Sequence, residues 1–235
     1  MTAPLSVVIP TLNAEAALRG SLPGVFEGVA AGLVRDLVIS DGGSGDETVA
    51  LAEAVGAHVV RGDAGRGGQL RRGCAAARGA WLLVLHADTH LPAGWVDVVE
   101  AAMVEPDCAG AFRLSFRARG VAPRIVAGWA NLRSRALRLP YGDQGLLLSR
   151  ALYERSGGYL DIPLMEDVAL ARALGRRVRL LPATVSTSAD RYAAQGWVGQ
   201  GARNLWRLAR YMTGVPPERL ARGYSAAEAS SRSLN

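Results

Sequence analysis

The first half of the chain alternates short apolar runs with segments whose apolar residues recur at helical intervals. The apolar runs have strand length and cover residues 5–9, 36–40, 57–61 and 81–85. The helical segments between them cover residues 14–31, 47–55 and 69–78. Gly20 and the pair Pro23-Gly24 are expected to interrupt the first of these helices. This alternation predicts a parallel α/β sheet with helices packed on its faces.

The second half of the chain is less regular. Its periodicity predicts helices over residues 95–104, 124–139, 151–156, 166–174 and 196–212. Strands are predicted over residues 109–116, 145–149, 177–181 and 184–188. The last helix is amphipathic, and its apolar stripe fits either core packing beside a solvated basic face or contact with a membrane surface. From residue 216 onward the composition predicts a flexible tail, and no linker divides the chain into two domains.

Composition is that of a soluble globular protein, with 235 residues, of which 49% are hydrophobic and 20% charged. No apolar stretch approaches the length of a membrane span, and no signal peptide is recognisable at the start. Cys74 and Cys108 have neither a disulfide framework nor metal-site spacing. We therefore expect a cytoplasmic protein.

All 27 basic residues are arginine, and the net charge is +6. Composition bias is a sufficient explanation for the absence of lysine, although arginine also binds phosphate and carboxylate in a bidentate way. A positive chain suits anionic partners such as nucleotides, nucleic acid or an acidic membrane. The charge alone does not choose among them.

Polar residues follow the first two predicted strands, at the sheet edge where open α/β sheets bind ligands. Pro10 and Asn13 follow the first strand, and Asp41 follows the second. The Asp41 carboxylate is suited to accept a hydrogen bond from a nucleotide base, and the next two glycines let the backbone approach a ribose. The alternative is that Asp41 only forms a turn.

The run Gly65-Arg66-Gly67-Gly68 opens the third predicted helix. Its backbone N–H groups and guanidinium form a candidate cradle for an anion, whereas the alternative is an ordinary glycine-rich surface loop. Its spacing and its place after the third strand differ from those of the dinucleotide-binding fingerprint.

Asp88 follows the fourth strand and is the candidate ligand for Mg²⁺ or Mn²⁺. A single carboxylate suffices where substrate phosphates and water complete the shell, although an acid after a strand is also a common helix cap. His86 is a poor partner for Mg²⁺, so we expect it in a supporting or core position.

Asp143 and Gln144 lie between two glycines, which suits either an acceptor site or a tight turn. Glu166 and Asp167 open a helix, where acids complement the helix dipole or supply a general base. We choose Asp167 as the base and expect Glu166 to orient an arginine or the acceptor.

Two residues before the last helix are further candidates. Arg191 is placed to neutralise a departing diphosphate, and Trp197 either stacks on an acceptor sugar or packs inward.

These segments, in this order, resemble glycosyltransferase family 2, whose members have the GT-A fold and transfer sugars with inversion. The matching segments are 7–13 (VVIPTLN), 40–48 (SDGGSGDET), 65–70 (GRGGQL), 86–92 (HADTHLP), 141–145 (YGDQG) and 166–167 (ED). The HADT and YGDQG segments look most like a short bacterial subgroup associated with arsenosugar biosynthesis. The family's processive signature QXXRW is missing, which favours a single transfer.

The resemblance implies a single GT-A domain over residues 1–215, with a nucleotide-sugar half over 1–92, an acceptor half over 93–215 and a tail over 216–235. Pro10, Asn13, Asp41 and Arg66 would border the nucleotide of a nucleoside-diphosphate sugar. Asp88 would match the last aspartate of the family's DXD metal motif, and Asp167 its catalytic base. His86 departs from the family because many members have the first aspartate of DXD there.

The implied activity is metal-assisted transfer of a sugar to a hydroxyl group of a small molecule or lipid. A sugar-phosphate nucleotidyltransferase is the enzymatic alternative, but those enzymes resemble each other in placing the glycine-rich loop directly after the first strand. A non-catalytic protein that binds nucleic acid or membranes is the other alternative. Aromatic residues, at 6%, are few for the stacking that nucleic-acid readers use, so we expect no nucleic-acid partner.

Overall fold

The computed structural model describes residues 3–221 of the chain. The strands are β1 (Leu5–Thr11), β2 (Val34–Asp41), β3 (His58–Arg61), β4 (Trp81–Val84), β5 (Ala109–Phe116), β6 (Leu146–Ser149) and β7 (Val178–Thr187). The helices are α1 (Glu15–Ala30), α2 (Thr48–Ala54), α3 (Arg66–Ala76), α4 (Trp95–Ala102), α5 (Val121–Leu137), α6 (Arg150–Arg155), α7 (Glu166–Leu174), α8 (Asp190–Gln195) and α9 (Trp197–Met212). Short 3-10 turns cover Gly142–Gln144 and Gly175–Arg177.

The seven strands form one sheet in the order β3-β2-β1-β4-β6-β5-β7. Strand β1 pairs in parallel with β2 and β4, and β2 pairs in parallel with β3. Only β6 runs antiparallel to its neighbours, and β5 and β7 are again parallel. The predicted single-domain, mostly parallel α/β architecture is confirmed. The carboxyl ends of β1, β2 and β4 therefore meet at one edge of the sheet.

Both faces of the sheet are buried, which explains why its strands read as continuous apolar runs. Successive strand residues point to opposite faces, so Val8 and Leu82 pack in one cluster while Ile9 and Leu83 pack in the other. Trp95 of α4 has no exposed surface and fills the second of these clusters. Helices on both faces thus hold the site-bearing edge in place.

Helix α1 is continuous, so the predicted interruption near Gly20 and Pro23-Gly24 is wrong. Its glycines recur every four residues and form a flat face. A Cβ atom would lie 2.8 Å from His90 at Gly20 and 2.5 Å from Trp95 at Gly28. These glycines allow α1 to pack closely against the segment after β4. The sequence pattern alone did not distinguish glycines with this packing role from glycines that interrupt a helix.

The two strands predicted at 177–181 and 184–188 are one strand, β7, which contains Pro182. Proline lacks the N–H that a ladder requires, and the pairing with β5 shifts register between Ala111 and Arg113, opposite this region. The irregular pairing lets the strand continue past the proline.

The predicted flexible tail begins at residue 216, but residues 217–221 are helical and Leu220 is buried beside Leu208 and Val168. The apolar contacts of Leu220 account for this order. Residues 222–235 of the predicted tail lie outside the described residues. Among the described residues, none of the helices combines the length and apolar character that crossing a membrane requires.

Candidate functional site

The loop after β2 is organised by Asp41, whose side chain is buried. Its carboxylate accepts hydrogen bonds from the backbone N–H groups of Gly43 and Ser44, both at 2.8 Å, and from the hydroxyls of Thr11 and Ser44. Burial by itself raises the pKa of Asp41, but these hydrogen bonds outweigh it and hold the pKa below its ordinary value. Four donors surround the carboxylate, and two of them are hydroxyls that can rotate, so a hydrogen bond from a nucleotide base to Asp41 stays a prediction. Asp41 also shapes the loop.

Asn13 connects the loop after β1 to the loop after β2. It has a left-handed backbone (φ 49°), its side-chain oxygen accepts from the N–H of Gly45 at 2.8 Å, and its own N–H donates to Ser44 Oγ at 2.8 Å. Pro10 is half-buried within β1, opposite Ser40 of β2. Pro10 and Asn13 thus lie along the groove between these two strand ends, where the sequence placed them.

The start of α3 is fixed to the same strand ends by Gln69, a buried residue that the candidate set omitted. Its amide Nε2 donates to the carbonyls of Thr11 at 2.6 Å and Ser40 at 3.0 Å, and its Oε1 accepts from the N–H of Gly65 at 3.2 Å. The only sequence signal for this role was its place in the segment GRGGQL.

The predicted anion cradle at Gly67 and Gly68 is largely covered by protein. A Cβ atom would lie 2.3 Å from the carbonyl oxygen of Leu160 at Gly67, and 2.7 Å from Asp161 Oδ1 at Gly68. These glycines allow the segment that precedes α7 to lie against α3. Gly67 and Gly68 are thus packing positions, whereas Gly65 has open space around it and Arg66 at the first position of α3 faces the site, so an anion site at these two residues stays a prediction.

Arg66 connects three elements of the site. Its Nε lies 3.0 Å from Oε1 of Glu166, and its Nη2 lies 3.0 Å from Nδ1 of His86. Because a guanidinium only donates, Nδ1 of His86 accepts and the imidazole proton resides on Nε2. Burial, together with the positive charges of Arg66 and Arg191, places the pKa of His86 well below its usual range. His86 is therefore neutral, and its contact with Arg66 is of the supporting kind that we expected for it.

Glu166 orients Arg66. Its side chain is 2% exposed, and burial raises its pKa above the usual range in spite of the opposing charge of Arg66. The negative charge of Asp167 raises the pKa of Glu166 further. Of the two roles expected for Glu166, the contact with Arg66 fits the one that orients an arginine, and the acceptor role stays a prediction.

Asp88 is held by the end of β7. Its Oδ2 accepts from the hydroxyl of Thr187 at 2.8 Å and from the N–H of Ser188 at 3.2 Å. Arg117 donates to the backbone carbonyl of Asp88 at 2.7 Å. These contacts fix the carboxylate beyond the carboxyl end of β4, and neither carboxylate bond goes to a helix N-terminus, which disfavours the helix-cap alternative.

Asp143 and Asp167 meet Asp88 in this region. Oδ2 of Asp167 accepts from the N–H of Gly142 at 2.8 Å, which places the residue-141–145 segment against the start of α7. Burial raises the pKa of Asp143 to about 6; Arg133 and Arg66 lower it, while the charges of Asp167 and Asp88 raise it further. Asp88 after β4 and Asp167 at the start of α7 are thus close enough to Asp143, which precedes β6, for their charges to act on its carboxylate.

Two polar atoms at this convergence are buried without a hydrogen-bond partner. They are Oδ1 of Asp143 and Nε2 of His86, an acceptor and a donor on either side of Gly142. A Cβ atom at Gly142 would lie 2.3 Å from His86 Nε2. Buried polar atoms are rarely left unpaired, so these two atoms are available to contact a ligand.

Gln144, a predicted acceptor residue, is held inside the protein. Its side chain has no exposed surface, its Oε1 accepts from Ser134 Oγ, and its Nε2 donates to the carbonyl of Phe112 at 2.9 Å. It fastens the segment to β5 and α5. The alternative of a tight turn fits Gln144. Asp143 has a side-chain oxygen without a hydrogen-bond partner, which a role in the turn does not explain.

Trp197 belongs to an aromatic cluster with Tyr192 and Phe116. The rings of Trp197 and Tyr192 are stacked with centroids 5.0 Å apart, and Phe116 contacts Trp197 edge-on at 5.1 Å. Burial and the charge of Asp143 raise the pKa of Tyr192, which shows that the cluster borders the acidic residues. Trp197 thus packs on protein rings, although it retains partial exposure.

Two further arginines, Arg191 and Arg133, add positive charge near His86 and Asp143. Arg191 is exposed and near enough to lower the pKa of His86. Arg133 is 6% exposed, and its guanidinium lies 3.5 Å from the ring centroid of Tyr141 and donates to the carbonyl of Leu139. Sequence analysis missed Arg133 because it is one of several arginines on a helix that reads as basic.

The residues fit a divalent cation only if oxygens of the substrate complete its coordination shell. No cluster of three or more His, Cys, Asp or Glu residues with metal-binding geometry occurs in residues 3–221. Asp88 and the unpaired Asp143 oxygen are the available carboxylate ligands, and Mg²⁺ or Mn²⁺ commonly takes one or two with phosphate oxygens.

A cavity of about 410 Å³, lined in part by Asp97, Gly110 and Arg179, opens at the opposite edge of the sheet.

Comparison with known proteins gives one family match and several structures with a similar fold. The sequence model described as glycosyl transferase family 2 matches residues 6–144. No curated protein matches the chain. Staphylococcus aureus TarS 1–349 has a similar structure, with a TM-score of 0.61 and 15% identity over 87% of this chain and 64% of that one.

Two other solved structures have the same fold. GalNAc-T7 with UDP, GalNAc and Mn²⁺ gives a TM-score of 0.61 and 16% identity over 79% of this chain and 44% of that chain. Glucosyl-3-phosphoglycerate synthase from Mycobacterium tuberculosis, with Mn²⁺, UDP and phosphoglyceric acid, gives 0.59 and 22% identity over 91% of this chain and 79% of that chain. The match spans less than two thirds of the TarS and GalNAc-T7 chains.

Proposed function

Because the chain belongs to glycosyltransferase family 2, we propose that it transfers a sugar from a nucleoside-diphosphate sugar to a hydroxyl group, with inversion at the anomeric carbon. The observation that carries the proposal is the convergence of Asp88, Asp143 and Asp167 with Arg66 at one sheet edge. Structures of similar proteins with UDP-GlcNAc, or with UDP and Mn²⁺, support a nucleotide-sugar donor and a divalent cation.

The nucleotide would lie in the groove between the ends of β1 and β2. Pro10 and Asn13 border this groove, and Asp41 holds the backbone of its loop in place. Gly65 and Arg66 follow at the start of α3, which Gln69 fastens to the same strand ends. In this arrangement the diphosphate reaches Arg66, and Arg191 faces the same region.

Asp167 is the proposed general base. It takes the proton of the acceptor hydroxyl while that oxygen forms a bond with the anomeric carbon, and the bond from this carbon to the diphosphate oxygen breaks with its electron pair. The hydrogen bond from Gly142 fixes Oδ2 of Asp167 and leaves further lone pairs for the proton. Such a base contributes roughly 10²- to 10⁴-fold, which equals about 3–5 kcal/mol.

Arg66 and Arg191 would stabilise the charge that develops on the departing diphosphate. Glu166 and His86 position Arg66 by one contact each. Asp88 and Asp143 would hold the divalent cation, either Mg²⁺ or Mn²⁺. When bound, such a cation supplies Lewis-acid stabilisation of the leaving group.

The finer features of the proposal rest on the sequence resemblance. We propose a hexose as the transferred sugar, a small-molecule or lipid acceptor beside the Trp197 cluster, and membership of the short bacterial subgroup associated with arsenosugar biosynthesis. The HADT and YGDQG segments are the support for the subgroup.

The test separates chemistry from binding. A thermal-shift screen of UDP-, GDP- and TDP-sugars with and without Mn²⁺ identifies the donor, and calorimetry then measures its affinity for Asp167→Asn and Asp88→Ala. Asp167→Asn should lower turnover about 10²-fold or more while donor affinity changes little. Asp88→Ala should lower the Mn²⁺-dependent donor affinity as well.

Asp97→Asn, an exposed aspartate on α4, is the matched control and should leave both quantities unchanged. Turnover that survives in Asp167→Asn, or donor affinity that falls equally in both site variants, would refute the assignment.

A further inference from the structure

Helices α5 and α9 contact each other and expose apolar side chains in stripes. On α5 the exposed residues recur at intervals of four, four and three: Val121 (70% exposed), Ile125 (66%), Trp129 (49%) and Leu132 (55%). On α9 they recur every seven residues, at Val198 (84%), Leu205 (47%) and Met212 (46%), with Trp206 (66%) beside them. These intervals place each set on one side of its helix. We call the surface formed by both sets the α5–α9 face.

The exposed apolar residues of α9 (Val198, Leu205, Trp206 and Met212) are not explained by packing against the protein. Only Gln200 and Leu208 are buried in this sixteen-residue helix. The core-packing alternative for the amphipathic helix thus holds for Leu208 alone. A helix that keeps its apolar stripe on the outside is typical of an interface with a partner or a membrane.

The charge around this face points to the partner. Residues 108–142 and 191–217 contain eleven of the 27 arginines and no acidic residue, so the remainder of the chain has sixteen arginines against 21 acids. The net positive charge of the protein therefore comes entirely from the two segments that carry the α5–α9 face. Arg124, Arg135 and Arg210 are exposed there. Two copies of the chain meeting through this face would oppose arginine to arginine.

We infer that the α5–α9 face docks on an anionic lipid bilayer, with Ile125, Trp129 and Trp206 entering the headgroup region and the arginines pairing with lipid phosphates. Tryptophan and arginine at the rim of an apolar stripe suit this interface. The inference goes beyond the proposed function and does not depend on it, because binding to vesicles requires no sugar donor.

Docking in this way would orient the site toward the membrane. Helix α5 leads directly into the segment with Gly142 and Asp143, and α9 starts at Trp197 in the aromatic cluster. The acidic residues of the site thus lie beside the docked face. An acceptor in the headgroup region of the bilayer would be close to them.

Vesicle sedimentation with the full chain tests the inference. Binding is measured with phosphatidylcholine vesicles and with mixed phosphatidylcholine and phosphatidylglycerol vesicles, at low and high salt. Strong binding is expected only to the mixed vesicles at low salt. The double change Ile125→Ser with Trp206→Ser should weaken it about tenfold or more. Arg124→Gln and Arg210→Gln should each weaken it about fivefold.

Val104→Ser and Arg61→Gln are matched controls, since both residues are exposed and lie outside the face. Their binding should equal that of the wild type. Failure of the wild type to bind mixed vesicles, equal binding to neutral vesicles, or unchanged binding of the double variant would overturn the inference. Light scattering that shows a wild-type dimer and a monomeric double variant would overturn it too, by assigning the face to a second copy.

Discussion

Asp143 gives the most quantitative prediction, because its carboxylate is costly to ionise in the ligand-free protein. Burial raises its pKa from 3.8 to about 6, and its Oδ1 has no hydrogen-bond partner. The folded protein thus binds this proton more tightly than the unfolded chain does. The stability from this protonation is fully present below about pH 3.8 and is lost as the pH rises through about 6.

The change Asp143→Asn removes the ionisation and keeps the shape of the side chain. A difference of about two pKa units at 1.36 kcal/mol each gives about 3 kcal/mol as the upper limit of the effect. The Asn variant should therefore be more stable than the wild type at pH 8 by up to about 3 kcal/mol, or about 6–12 °C in Tm for a chain of this size. At pH 4 the advantage of the Asn variant over the wild type should be smaller than at pH 8 by up to about 3 kcal/mol.

The assay is thermal unfolding of both proteins across this pH range, with the Tm difference between them as the readout. Asp97→Asn controls for the loss of one carboxylate at an exposed position and should stay within about 0.5 kcal/mol of the wild type. Mn²⁺ at pH 8 should stabilise the wild type more than the Asn variant, because the Asp143 carboxylate is a proposed ligand. A Tm difference between wild type and variant that is the same at pH 4 and pH 8 would refute the reasoning.

Two glycine substitutions test how the site is assembled. Gly142→Ala places a Cβ atom 2.3 Å from His86 Nε2, so kcat/KM should fall at least about tenfold, whereas Gly128→Ala on the exposed side of α5, with open space around it, should leave it unchanged. Gly67→Ala places a Cβ atom 2.3 Å from the backbone oxygen of Leu160 and should lower the free energy of unfolding by about 1–3 kcal/mol. Gly201→Ala on α9, also in open space, should instead be neutral or stabilising by up to about 1 kcal/mol. Wild-type activity in Gly142→Ala, or a Tm for Gly67→Ala equal to that of Gly201→Ala, would contradict these contacts.

The sheet and the location of the site could be predicted from sequence because both depend on local patterns. Alternating apolar runs and helical segments specify the parallel strands, and parallel strands bring their carboxyl ends to one edge. The glycines of α1 show the limit of such patterns. Whether Gly28 breaks a helix or admits the ring of Trp95 depends on a contact with a segment more than sixty residues away.

Roles within the site were harder to predict, because they depend on which lone pairs the protein already occupies. Asp41 and Gln144 were chosen as residue types that bind ligands, yet their oxygens are used by Ser44, Thr11 and Ser134. Asp143, next to Gln144 in the chain, has one side-chain oxygen without a hydrogen-bond donor. The sequence did not distinguish these cases, since the donors Thr11 and Ser134 lie 30 and 10 residues along the chain from the oxygens they contact.

The neutral histidine at position 86 explains how Arg66 and Glu166 coexist in a buried site. Many members of the family have an acid at this position, but an acid here would compete with Glu166 for the guanidinium of Arg66. Glu166 is 2% exposed and would then be left as a poorly compensated buried charge, which is strongly destabilising. His86 accepts one N–H of Arg66 through Nδ1 and leaves Nε of the same guanidinium to Glu166. In the proposed mechanism, the site thus keeps a fixed positive charge within reach of a diphosphate, and Asp88 and Asp143 would supply the carboxylate ligands of the cation.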